Sequence, residues 1–82
     1  MSITHRLKIW PSYFEVVCEG KKTFEVRVND RGFQVGDKLE LQEWNPIDKE
    51  YTGRSIVKEV TYILYGSSID PCMERYVVMA IK

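Results

Sequence analysis

The stretch GKKTFEVRVNDRGFQVGD (Gly20–Asp37) decides how this chain folds. Its middle, TFEVRV (Thr23–Val28), alternates as a strand does, with Phe24, Val26 and Val28 on one face and Glu25 and Arg27 on the other. Either set can face inward. With the apolar set inward, Glu25 and Arg27 form a salt bridge on a wet sheet face, worth about 0.2–1 kcal/mol. With the charged set inward, they line a polar cleft. The flanking NDRG (Asn29–Gly32) and VGD (Val35–Asp37) are turn chemistry, because Asn, Asp and Gly tolerate the positive φ of tight turns.

Working outward, THRLKIW (Thr4–Trp10) alternates with His5, Leu7 and Ile9 on one face, and reads as a first strand. Pro11 suits the first position of a helix, while Ser12 and Glu15 match a capping box one residue later. Tyr13, Val16 and Val17 keep helical spacing and Gly20 fits the position just past the end, so a short helix spans Pro11 to Glu19. KLELQEW (Lys38–Trp44) alternates again, NPIDKEYTG (Asn45–Gly53) reads as a polar loop, and SIVKEVTYILY (Ser55–Tyr65) is a long strand rich in β-branched residues. GSSIDPCME (Gly66–Glu74) is a second loop, and RYVVMAI (Arg75–Ile81) closes as a strand. Five strands and one early helix predict a mainly β (α+β) fold: a small, mostly antiparallel β-barrel of five to six strands with one main N-terminal helix. Closure removes the exposed edges of so short a sheet.

Eighty-two residues make one domain, residues 1–82, because two cores would each be too small to hold together. Twelve basic against twelve acidic residues leave no net charge, so attraction to nucleic acid or membrane must come from a local patch. No run approaches a membrane span and no signal-peptide pattern is present, so a soluble, cytoplasmic protein without membrane partners is expected. Cys18 and Cys72 form no CxxC pair; Cys18, among valines, reads as a small core residue, and a disulfide is not expected. A lone His5 without a close Cys or His cluster predicts no metal and no cofactor.

The order strand, PSYF helix, Gly20, KKTFEVR and VGDKL resembles the ASCH (activating signal cointegrator homology) domains of the PUA-like superfamily. Those domains carry a G-x-K-T-x-E-x-R element directly after their first helix. Here Gly20, Lys22, Thr23, Glu25 and Arg27 fill it, and Gly36 and Asp37 match the turn that follows. More narrowly, the window looks like a small bacterial and phage branch of unknown function. The resemblance implies a PUA-like barrel with a cleft beside the first helix, proposed in that family to bind RNA or nucleotides, and it tips Glu25 and Arg27 toward the cleft.

Lys22 and Arg27 then supply positive charge for phosphate, Arg in bidentate fashion, and Glu25 accepts from a base amino group or holds Arg27 in place. Lys8 and Trp10 add a charge and a stacking surface. Arg31, in the turn, is either a surface residue or a phosphate contact. Lys21 reads as a solvated helix-end charge, His5 as a hydrogen-bonded, half-buried histidine, and Trp44 and Tyr62 as ordinary packing positions. The leading expectation is an RNA- or nucleotide-binding module with no catalytic residues. The alternative is a small amidohydrolase or ribonuclease-like enzyme using the same cleft, because some small ASCH proteins resemble amidohydrolases that use a Lys, a Thr and a Glu. Carried across, Lys22 matches the Lys, but Glu25 occupies the Thr position, and a carboxylate is no substitute for an activated hydroxyl; Glu74 is a candidate for the third residue. A protein-interaction module, using a sheet edge or apolar patch, is the remaining class. Sequence does not set the oligomeric state.

Overall fold

A computed structural model describes residues 2–82. The described residues form five strands and one α-helix: β1 (Thr4–Ile9), α1 (Pro11–Cys18), β2 (Phe24–Val28), β3 (Lys38–Asn45), β4 (Glu50–Tyr65) and β5 (Tyr76–Ile81), with two short 3₁₀ turns at Gly66–Ser68 and Pro71–Met73. The strands form one mixed sheet in the order β1-β3-β4-β5-β2. The alternation read from the sequence becomes a shared inner face. It takes His5, Leu7 and Ile9 from β1, Leu39, Leu41 and Glu43 from β3, and Val77, Met79 and Ile81 from β5. Phe14 and Val17 of α1 and Phe33 of the loop after β2 complete the core.

The sheet does not close. β1 pairs with β3 and β2 pairs with β5, so β1 and β2 are the two free ends of the order. The expected barrel is corrected to an open five-stranded sheet; it is mostly antiparallel, as expected, with β1 and β3 as its parallel pair. The chemistry of the seam explains the opening. Arg27 Nη2 donates to the carbonyl of Lys8 at 2.8 Å, and Arg31 Nη1 to that of Arg6 at 3.0 Å. Two guanidinium groups from the β2 side therefore occupy β1 carbonyls that a neighbouring strand's amides would otherwise take.

Strand β4 is longer than its sequence suggests. Its first part pairs with β3 from Glu50 onward and its last part with β5. The stretch expected as a loop, Asn45–Gly53, is thus a tight turn at 46–49, with Lys49 at φ 56°, and Tyr51 lies within β4. A register shift between Val60 and Tyr62 changes which side chains face inward, burying Val60 and Ile63 and leaving Tyr62 exposed. Tyr62 is therefore no packing residue, contrary to expectation. Cys18, the last residue of α1, is exposed rather than buried among the valines.

Candidate functional site

Two turns aim the charged residues. Helix α1 starts with Pro11 in its first turn and Trp10 as N-cap, without a side-chain cap, so Ser12 plays no capping part. It ends at Gly20, whose φ of 76° lets the backbone double back, and the amides of Lys21 and Lys22 both bond the carbonyl of Val16. That reversal carries Lys22 to the mouth of the space between α1 and β2. In β2 the inward set is the charged one: Glu25 is 3% exposed, whereas Phe24 and Val26 are 45% and 46% exposed. The binary pattern is inverted, and the reason is pairing. Glu25 lies opposite Met79 and Arg27 opposite Val77, both fully buried, so a bare carboxylate there would be costly. Lys22 Nζ reaches Glu25 Oε1 at 2.5 Å and Arg27 Nε reaches Oε2 at 3.0 Å, one cation on each carboxylate oxygen.

This clamp sits in the wall of a cleft of about 790 Å³ between β1, α1 and β2. Its polar and aromatic lining includes Lys8, Trp10, Tyr13, Lys22, Glu25 and Arg27. Trp10 and Tyr13, both about half exposed, stack with ring centroids 6.5 Å apart and an interplanar angle of 22°. Lys22 Nζ also lies 5.0 Å from the centre of the Phe24 ring. The lining holds no aliphatic hydroxyl, thiol or imidazole side chain among the described residues, so its chemistry is that of cations, aromatic faces and one buried carboxylate.

A family model described as "Domain of unknown function (DUF3850)" matches residues 4–81. The chain belongs to that family. It is also 34% identical over 79 residues to the "Uncharacterized 12.9 kDa protein in GpA 3'region" of Escherichia phage P2, a match that covers 96% of this chain and 68% of the phage protein. Both relationships bear out a small bacterial or phage domain, and neither carries a function.

In this DUF3850 domain, five of the six residues singled out from sequence meet at the cleft: Lys8, Trp10, Lys22, Glu25 and Arg27. Arg31 does not line it. Arg31 joins Arg27 around a smaller hollow beside Phe33 and Tyr76 and spends one guanidinium nitrogen on Arg6. Lys8 has a competing partner, since its ammonium lies 3.8 Å over the Trp44 ring, which meets Tyr51 edge-on at 4.9 Å. Lys21 is solvated, as expected, although it stands at the cleft rim, and it pairs with Glu19 at 3.4 Å. His5 is more buried than expected, bonded through Nε2 to Asp37 at 2.8 Å and packed against Phe33.

Sequence reading missed a second buried carboxylate. Glu43, 3% exposed, receives Arg54 Nε on Oε1 at 2.9 Å and Arg54 Nη2 on Oε2 at 2.8 Å, with Thr52 donating to Oε1. The hydrogen bonds from Arg54 and then Thr52 outweigh burial and hold the Glu43 carboxyl below its ordinary range, while Glu43 and Glu15 raise the Arg54 guanidinium further. Arg54 also bonds Glu15 of α1 at 2.7 Å and lies over the Phe14 ring. This cluster ties the helix to the β3–β4 hairpin and lies outside the cleft lining. Its signal was present in the sequence: Glu43 continues the inward series Leu39, Leu41 just as Glu25 occupies an inward position of β2.

Proposed function

We propose that the cleft binds a nucleotide, free or as a unit of single-stranded RNA, and that the open sheet is a member of the PUA-like group that the Gly20–Arg27 element resembles. The observation that carries this reading is the clamp itself. A buried carboxylate with one cation on each oxygen sits beside an exposed, stacked pair of aromatic rings. Trp10 and Tyr13 offer a base a stacking face, Lys22 and Arg27 keep donors available to phosphate, and Glu25 retains lone pairs for a base amino group. A lining of this kind is equipped for binding rather than for nucleophilic chemistry.

The test is titration of nucleoside monophosphates and short single-stranded oligoribonucleotides, read by tryptophan fluorescence and calorimetry. Trp10→Ala and Lys8→Ala leave the Glu25 clamp intact, so their effect is on binding alone; loss of the Trp10 stack should weaken binding by about 1–3 kcal/mol. Arg27→Ala should cost a similar amount, about 1–3 kcal/mol, through a charge-assisted contact. It also releases one side of Glu25, so a thermal melt accompanies it. Lys82→Ala, at the end of the chain, should bind as wild type does. Affinity should fall with salt by the few phosphates engaged. Equal binding by all four variants, or no binding at millimolar ligand, would sink the proposal.

A further inference from the structure

The two halves of this sheet treat their outer faces differently. Outside β1, β3 and the first part of β4, the outward positions are mostly polar or charged, among them Arg6, Lys8, Glu40, Gln42 and Glu59, with Val57 and the Trp44–Tyr51 pair set between them. Outside β2, β5 and the last part of β4 the same positions are apolar or aromatic. The register aligns Phe24 with Ala80 and Tyr62 in one row, and Val26 with Val78 and Leu64 in the next. Tyr76, opposite Val28, extends the array toward the loop end. Phe24, Val26, Tyr62, Leu64 and Tyr76 are between 38% and 63% exposed, and none of the eight positions carries a formal charge. The only helix among the described residues packs on the inner face, so it leaves this outer one bare.

We infer that this face is the contact between two copies of the chain, packed sheet on sheet. The eight positions expose about 500 Å² per copy, so full mutual burial removes roughly 1,000 Å², the size of a weak, transient contact. Two apolar three-stranded faces stacked about 10 Å apart form a sandwich core shared by the two copies. A second copy suits the face better than a charged partner, because the array has no charge to pair, and a chain with no net charge brings no overall repulsion to its twin. Phe24 and Val26 also line the cleft, so pairing places the mouths of two clefts beside the interface. The inference stands independently of what the cleft binds.

Sedimentation equilibrium from about 1 µM to 1 mM protein tests it, a range that reaches the weak association typical of small interfaces. Wild type should rise with concentration from 9.7 kDa toward twice that mass. Leu64→Glu and Tyr62→Glu, which lie outside the cleft lining, should each shift the dimer constant at least tenfold toward monomer and leave the melting transition cooperative. Tyr62 is 63% exposed, so its replacement tests the contact even if Leu64→Glu fails to fold. Val57→Glu, exposed on the polar half, should dimerise as wild type does. A wild type that remains monomeric at 1 mM overturns the inference, as does a dimer that both glutamates leave unchanged. A monomer that instead binds lipid vesicles or an unrelated protein through Tyr62 and Leu64 overturns it as well.

Discussion

A single glutamate at position 25 determines how the strand around it is used. Placed opposite Met79, it is held by Lys22 and Arg27 and directs two cations toward the cleft while Phe24 and Val26 turn outward. The sequence alone could not choose between the two faces of TFEVRV, because period-two alternation is symmetric about the strand and only the partners of Glu25 break the symmetry. His5 and Asp37 make another buried polar contact, and theirs is structural. Burial pushes the Asp37 carboxyl up, but the hydrogen bond from His5 and the amides of Ile3 and Gln34 together outweigh it and hold the group below its ordinary value. As pH falls, the unfolded chain therefore takes up this proton before the folded chain does. The stabilisation is complete above about pH 4, where an unfolded Asp is ionised, and fades as pH drops through the lower folded value. Asp37→Asn should cost about 1–3 kcal/mol at pH 7 in urea denaturation, and the gap from wild type should narrow steadily below pH 4. A gap that stays constant from pH 7 to pH 3 would mean that the carboxylate charge contributes nothing.

At the level of elements, alternation predicted the strands correctly where one face is buried throughout, as in Leu7 and Ile9 or Leu39 and Leu41. It misread β4, because a strand that serves two halves of a sheet changes its inward residues at the shift between Val60 and Tyr62 and has no single period. Its first residues, paired with β3 beyond the core, carry the polar side chains of a loop. The loop after β4 contains a constraint that composition does not reveal. Gly66 is buried, and a Cβ there would lie 1.9 Å from the carbonyl oxygen of Met73 and 2.9 Å from that of Tyr76. Both obstacles are backbone, so no side-chain rotation relieves them. Gly66→Ala should therefore destabilise the fold by about 2–4 kcal/mol, a large loss for a methyl group, seen as a lower thermal midpoint. Gly53→Ala, with open space around its Cβ, should lose only about 1 kcal/mol, the cost of its positive φ of 94°. Equal losses at the two positions would show that the turn around Gly66 gives way.

Across the whole molecule the defining feature is the seam between β1 and β2. Backbone bonds link Asn29 to Arg75 and Ile81 to Thr23 at the two ends of the β2–β5 ladder. By alternation, the amides of Phe24, Val26 and Val28 then point away from β5, toward the seam. On the other side, Arg6 and Lys8 present their carbonyls to guanidinium groups, and within a strand an amide points to the same side as its own carbonyl. These five seam amides have no strand partner among the described residues. In hydrogen exchange, Arg6, Lys8, Phe24, Val26 and Val28 should exchange orders of magnitude faster than Leu41, Val77 and Met79 of the inner strands. Arg31→Ala removes one of the two side-chain bridges and should speed exchange at Arg6 and Val28 with little change at β3. A closed barrel would protect all five amides as strongly as the centre of the sheet. The open seam exposes edges, which small β proteins normally avoid, and Arg27 and Arg31 cover them with charge that resists edge-to-edge pairing. Arg27 also borders the cleft, so a ligand that draws its guanidinium toward a phosphate loosens its bond to the Lys8 carbonyl. Saturating nucleotide should then accelerate exchange at Lys8 while protecting Phe24 and Val26 in the cleft wall. Uniform protection of all five amides by the ligand would mean that Arg27 keeps its bond to β1 and that the phosphate is held elsewhere.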